Sequence, residues 1–428
     1  MGLFLGLVLS APVSMRGASQ ALELVLSRLF GPTFPVPAAN TGRLWLLRVG
    51  LFELTRPKEK ADDWVWIVDH TIQISSIKCL LIVGCRLQAW NQQRKPLGHQ
   101  DLQVLALEPV ETSNGEIVCR QLEHTVEVTG VPRAIVSDGG PDLTRGISLF
   151  RQQHPQVTPC YDVAHKMALL LKKILTADAR WQEFLSKMAQ CKKQFMKSSL
   201  AFLTPPMVPD QARYMNLEGL LKWATRVREF MDDPSANDGS LVEPWRVQLE
   251  FTWLRDFDEP LAQWQELMSV VDTTLHYVRW EGYHRDAHLE LHALLTPLGE
   301  HPQSLQLCEQ VVNFVAEQSL GAKVDERLIG SSECLESLIG KGKRLEGQQS
   351  RSGFTAMVLA MAAAVVRPTR TVIEEALATV KVKDVANWAR NKLGLSVQAR
   401  RRLAFQSGSA SKPEQKQDNP QTTTTPSF

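Results

Sequence analysis

Between Asp63 and about Lys173 the apolar residues fall in runs of strand length: WVWIVDHTIQI, KCLLIVGCRL, LQVLALEPV, RAIVSD and VTPCYDV. Val, Ile and Trp favour pleated, half-buried surfaces, so these runs predict strands. One segment between the third and fourth runs, IVCRQLEHTVEVTG, has helical spacing instead. The predicted order is three neighbouring strands, a helix, a fourth strand, a helix and a fifth strand. Such a pattern makes an α/β sheet with helices on its faces. Upstream, SMRGASQALELVLSRLF is amphipathic, GPTFPVPAAN breaks the period and TGRLWLLRVGLFEL resumes it. That pair is compatible with a helix-turn-helix, in which Arg43 and Arg48 would face DNA. It is equally compatible with an arm packed on the main domain.

After YDVAHKMALLLKKIL the strand signal stops. Long amphipathic segments follow, among them ARWQEFLSKMAQCKKQFMKS, NLEGLLKWATRVREFM, EPLAQWQELMSVVDTTLHYVRW and HLELHALLTPL. SSECLESLIGKGKRLEG then predicts a helix, with Ser331 or Ser332 as N-cap and Glu333 and Glu336 in its first turn. GFTAMVLAMAAAVV is apolar all round and is expected to be a helix buried against the sheet. The polar, low-complexity end, SGSASKPEQKQDNPQTTTTPSF, is expected to be disordered. The chain therefore divides into a helical N-terminal region (1–60), a first part of the α/β core (61–175), a helical insertion (176–325), a second part of the core (326–405) and a tail (406–428).

Composition narrows this little. The chain has 428 residues, 44% of them hydrophobic, and 11 Trp, enough for a substantial core. A net charge of +2 neither requires nor excludes a nucleic-acid partner. The seven Cys contain no CxxC pair, which argues against a zinc ribbon and a disulfide framework and leaves reduced, mostly buried thiols. No stretch reaches the roughly 18 apolar residues needed to span a bilayer. The opening GLFLGLVLSAPVS lacks a basic n-region, so no signal peptide is expected and the reading is cytoplasmic. GxxxxGK[ST] and GxSxG are both absent, which leaves a nucleotide-driven motor and a serine hydrolase unsupported.

The chemistry is carried by acids. Asp69 closes WVWIVD and Asp138 closes RAIVSD, so two buried strands each deliver one carboxylate to a rim. Mg²⁺ takes hard oxygen ligands, and two-metal phosphoryl-transfer sites begin with such pairs. SDGG is also an ordinary turn sequence, which is compatible with a rim position. His284, His288 and His292 are spaced four apart in HRDAHLELH, but three imidazoles on one straight helix do not readily reach one ion, and HExxH order is absent. A polar helix face is the expected reading there.

DDWVWIVDHTIQI, GVPRAIVSDGGPDL, YDVAHKMALLLK and SECLESLIGKGKR, in that order, give the chain a second layer of meaning. Over roughly residues 13–405 it resembles bacterial insertion-sequence transposases of the DDE type. The resemblance implies a ribonuclease-H-like domain interrupted by a helical insertion, with the third acid on a helix beyond it. Asp69, Asp138 and Glu336 fill the three places, with Glu333 as the rival to Glu336 one helical turn earlier. It further implies two Mg²⁺ ions, replaceable by Mn²⁺, held by those acids, with strand cleavage followed by attack of the freed 3′ hydroxyl on target DNA. Double-stranded DNA, as element ends and target, would be the partner of a homodimer or larger assembly in the bacterial cytoplasm, at the nucleoid. Lys341, Lys343 and Arg344 would contact DNA, although Gly340 stands where another basic residue is frequent. Asp162 and His165 fall where related enzymes carry auxiliary residues, while an N-cap role for Asp162 explains the same pattern. Two other functions fit the same residues: a transposase-derived protein that binds DNA without cutting it, and a nuclease of this fold that does not join strands.

Overall fold

The computed structural model describes residues 1–74, 77–207, 214, 217–232, 244–347, 355–394 and 401–405. Its strands are β1 (Trp64–Ile74), β2 (Ile77–Arg86), β3 (Gln103–Val110), β4 (Ala134–Ser137) and β5 (Thr158–Tyr161). The helices are α1 (Gly2–Leu9), α2 (Met15–Phe30), α3 (Ala39–Thr55), α4 (Leu87–Gln93), α5 (Gly115–Thr129), α6 (Pro141–Gln153), α7 (Val163–Ala177), α8 (Ala179–Phe195), α9 (Leu217–Asp232), α10 (Pro244–Phe251), α11 (Asp258–Glu281), α12 (Ala287–Leu295), α13 (Pro302–Ser319), α14 (Glu333–Glu346), α15 (Leu359–Ala364), α16 (Arg370–Thr379) and α17 (Val382–Leu393).

Strand β1 sets the architecture through its alternation. Successive side chains of a strand point to opposite faces. Trp64, Trp66 and Val68 accordingly enter one hydrophobic cluster, and Val65 and Ile67 the other. The central strand is thus buried on both sides, which is why its sequence reads as a nearly continuous apolar run. The sheet order is β3-β2-β1-β4-β5, antiparallel from β1 to β3 and parallel from β1 to β5. This is the expected ribonuclease-H-like mixed sheet flanked by helices.

Helices α5 and α6 cover the tryptophan face, where Val118, Leu122, Leu143, Ile147 and Phe150 join Trp64 and Trp66. Burying an indole requires a partner for its N–H. Trp64 donates to the Glu59 carbonyl at 3.0 Å and Trp66 to Thr129 Oγ1 at 3.2 Å. On the opposite face α14 rests on β1, while α3 and α17 lie against β3. Helices α8 to α13 stand between α7 and α14 as the expected insertion. Their centre is aromatic: Trp181 meets Trp264 edge-on at 5.0 Å, and Phe184 packs on Phe257 at 5.3 Å. Each such pair contributes about 0.5–1.5 kcal/mol beyond its area burial.

Two expectations are corrected here. Arg48 does not face DNA: its guanidinium donates to the carbonyls of Val380 at 2.6 Å and Leu377, satisfying backbone acceptors at the C-terminal end of α16. Arg43 bonds Asn40 on its own helix, and α3 is a packed arm of the core. Within GFTAMVLAMAAAVV the described residues, from Thr355 on, form a short 3₁₀ turn (Ala356–Val358) followed by α15, which packs chiefly on α3 rather than on the sheet. The approach is backbone to backbone, since a Cβ at Gly50 would lie 2.0 Å from the Leu359 carbonyl oxygen. All seven cysteines are free, and all but Cys308 are buried. The tail at 406–428, expected to be disordered, lies outside the described residues.

Candidate active site

Register brings the first two acids together. In the parallel pair β1/β4, Val68 stands opposite Ser137 as the last pair, so the next residues, Asp69 and Asp138, come side by side; β1 itself does not close at Asp69, as WVWIVD suggested, but runs on to Ile74 with Asp69 opposite Leu81 of β2. Alternation gives Asp69 the parity of Val65 and Ile67, and Asp138 that of Ala134 and Val136, all four in the cluster on the α14 side. The carboxylates therefore share one face, about one strand spacing apart. Asp138 Oδ1 accepts from the Gly140 N–H at 2.9 Å, which shapes the turn into α6. Gly139 in that turn has φ +78°, and a Cβ there would lie 2.2 Å from the Tyr161 ring, so glycine is required on both counts. The Tyr161 hydroxyl is held above its usual pKa by burial, with Asp138 and Asp162 adding to it.

Helix α14 carries the third acid. It packs against β1, and the charge of Glu336 helps to raise the Asp69 carboxyl. Burial pushes the Asp69 pKa up to about 7, reinforced by Asp138, Glu336 and Asp162 and opposed by the His70 backbone N–H. Glu333 is engaged elsewhere, paired with Arg279 of α11. Of the two acids in the first turn of α14, Glu336 is therefore the one whose charge bears on Asp69. The α14 N-cap is Ser332, without a side-chain cap bond; Ser331 Oγ instead accepts from the Glu333 N–H at 3.3 Å.

Asp162 follows β5 in the register of Asp138, because Ser137 stands opposite Tyr161. It is fully buried. Its Oδ2 accepts from the His165 N–H at 2.9 Å, the N-cap of α7, and its Oδ1 accepts from the Ser332 N–H at 2.8 Å. One carboxylate thus ties the start of α7 to the start of α14. His165 contributes its backbone N–H to this knot, and its ring lies 6.2 Å from that of Tyr161. The insertion adds further ties: the Tyr283 hydroxyl donates to the Tyr161 carbonyl at 2.9 Å, and Val163 N–H donates to the Gly330 carbonyl at 2.9 Å.

A cluster that sequence reasoning missed lies on the other face of β1. His70 Nε2 is 3.0 Å from Ser113 Oγ and 3.6 Å from Asp142 Oδ2, with Lys78 Nζ 3.9 Å from the same oxygen. Burial lowers the His70 pKa, Asp142 opposes that and Lys78 adds to it. The cluster joins β1, just beyond Asp69, to the first turn of α6, just beyond Asp138. Its signal was present, since DH and GGPD place each partner one or a few residues from a candidate acid.

The basic trio separates. Glu336, Gly340 and Lys343 follow one helical stripe at i, i+4 and i+7, whereas Ser337, Lys341 and Arg344 follow the adjacent one. Lys343 and Arg344 are exposed and Lys341 is half-buried. The histidine series also separates: His284 precedes α12 and sits 3.0 Å from the Tyr277 hydroxyl, while His288 and His292 lie on α12.

The donor set around Asp69 consists of hard carboxylate oxygens from three elements with mutually reinforcing negative charge, which suits Mg²⁺ in chemistry. Among the described residues no three His, Cys, Asp or Glu side chains stand at the spacing that encloses an ion. The acids are gathered without being closed into a ligand shell. No described helix is long and apolar enough to cross a membrane.

No protein-family model and no curated protein matches the chain. Among solved structures it is similar to a chain of the Drosophila P element transposase strand transfer complex, at 13% identity and a TM-score of 0.41. The similarity covers 87% of this chain and 96% of that one.

Proposed function

We propose that the protein is a DNA transposase of the DDE type, related to bacterial insertion sequences, with Asp69, Asp138 and Glu336 as its catalytic acids. The observation that carries this reading is the placement of Asp69 and Asp138 side by side just beyond the last pair of the parallel β1/β4 ladder, beneath a helix that brings Glu336 to the same face. Asp69, Asp138 and Glu336 would hold two Mg²⁺, or Mn²⁺ in substitution. Bound there, the ions would supply the lowered pKa of an attacking water and the stabilisation of a departing 3′ oxygen.

The chain's own residues do the rest. Asp69 must give up its proton to act as a ligand, and its raised pKa sets the pH at which it does so. Asp162 orients α14 through Ser332 and so fixes the height of Glu336 above the strand ends. Lys341, Lys343 and Arg344, beyond Glu336 on the same helix, offer cations to DNA phosphates. The partner is double-stranded DNA, as element ends and target, and the working form is a homodimer or larger assembly at the bacterial nucleoid.

The test compares Glu336→Gln with Glu333→Gln in Mn²⁺-dependent cleavage of DNA flanking the gene. Glu336→Gln should abolish cutting while leaving folding and DNA binding intact, and Glu333→Gln should retain it. The reverse pattern would remove Glu336 from the site.

A further inference from the structure

The stripe of α14 adjacent to Glu336 faces a cavity of about 330 Å³, bounded by Ser337, Gly340, Lys341 and Arg344 on one side and by His99 and Ser10 on the other. Ser10 caps the end of α1, and His99 opens a 3₁₀ turn before β3. Three separate segments therefore converge on one hollow. Every ionisable group that lines it is basic, and among the described residues His99, Lys341 and Arg344 make no ion pair. Burial lowers the Lys341 pKa and Arg344 lowers it further; burial lowers that of His99 and Lys341 adds to it. No carboxylate relieves either group, so the hollow is short of negative charge.

Gly340 lines the same hollow and is exposed. A Cβ there would meet nothing within 4 Å, so a side chain at this position would enter open space beside the two cations. By contrast, a Cβ at Gly342 two residues on would lie 2.3 Å from Met361 Cγ.

We infer that this hollow is an oxyanion site that takes a phosphate group, with Lys341 and Arg344 as charged donors, Ser10 and Ser337 as hydroxyl donors, and Gly340 providing room. The site itself stands independently of the cleavage reading. Its occupant is either a free phosphate or a phosphodiester of bound DNA; only the latter rests on that reading. Along the α14 axis Lys341 and Arg344 lie roughly 8–12 Å beyond Glu336, on the order of two to four backbone steps of one B-DNA strand.

The experiment is titration of the full chain with inorganic phosphate in metal-free buffer, followed by calorimetry and ³¹P NMR, for the wild type, the Lys341→Gln/Arg344→Gln double variant, Gly340→Glu and, as a control on the exposed face of α9, Lys222→Gln. Saturable binding is expected in the wild type and in Lys222→Gln, weakened about tenfold or more in the other two. Gly340→Glu adds a carboxylate to open space, so it tests the cavity without removing a cation. Absence of saturable binding in the wild type, or equal binding by a folded double variant, would overturn the site. A parallel salt titration of short duplex DNA separates the sources. A salt slope reduced by about one to two in the double variant identifies a DNA phosphodiester, and an unchanged slope with phosphate binding intact in the wild type identifies a free phosphate.

Discussion

The strand ends and helix α14 both deliver acids to one place, by different physics. Asp69 and Asp138 are placed by local register: four paired residues of β1 and β4 suffice to set them side by side. Glu336 arrives on a helix that follows an insertion of six described helices, and its position depends on distant ties. Those ties are the Asp162 bond to Ser332, the Tyr283 bond to Tyr161 and the Arg279 pair with Glu333. The strand acids are thus as rigid as the sheet, while the helix acid is as rigid as the contacts between insertion and core. In such a design the insertion governs the acid of α14, and the sheet the two strand acids.

The largest effect that should break this contrast is Asp162→Ala. It leaves the Ser332 and His165 N–H groups without their buried acceptor, at about 1–3 kcal/mol for each, or about 2–6 kcal/mol together. Urea unfolding measures the loss, and Mn²⁺ titration of the folded variant should show weakened binding of the kind that Glu336→Gln produces. A variant that unfolds like the wild type would mean that α14 is held by other contacts.

Next in size is a pH effect confined to the strand acids. The Asp69 pKa is about 7 in the folded chain against 3.8 for the ordinary group. Its contribution to stability is therefore complete below about pH 4 and is lost as pH rises through 7. In metal-free buffer the wild type should lose on the order of 2–4 kcal/mol relative to Asp69→Asn between pH 5 and pH 8. Parallel pH profiles for the two proteins would show that Asp69 ionises as an ordinary carboxyl.

The smallest effect sharpens the comparison. Arg279 and Glu333 form a part-exposed pair, so Arg279→Ala should change stability by only about 0–1 kcal/mol. Cleavage should fall by more than that stability change implies, because the first turn of α14 is freed beside Glu336. Equal activity of variant and wild type would show that the pair does not position the helix.

The same contrast explains what could be read from the sequence. WVWIVD and RAIVSD announce two-sided burial and a polar rim, and the sheet follows from their alternation. The choice between Glu333 and Glu336 was not local, for the two stand on nearly one face and what bears on it comes from other elements: Arg279 of the insertion, which pairs with Glu333, and Asp69 of β1, whose carboxyl Glu336 helps to raise. Arg48 misled for a related reason: a cation on an amphipathic helix looks solvent-facing until the carbonyls of α16, more than 300 residues on, are seen to receive it. The cluster of His70, Ser113 and Asp142 was hidden because its members come from three elements whose meeting depends on the pleat of β1. Lys341 and Lys343 looked equivalent in GKGKR, and only their helical phase and the packing of α1 distinguish them.

The central claim is that the paired strand carboxylates drive metal-dependent cutting of DNA. Mn²⁺-dependent cleavage of a plasmid carrying the gene's own flanking DNA, comparing the wild type with Asp138→Asn, tests it most directly. The account predicts cuts at defined ends by the wild type and background levels for a variant that still folds and binds DNA. Binding without cutting by the wild type, or undiminished cutting by Asp138→Asn, would contradict it.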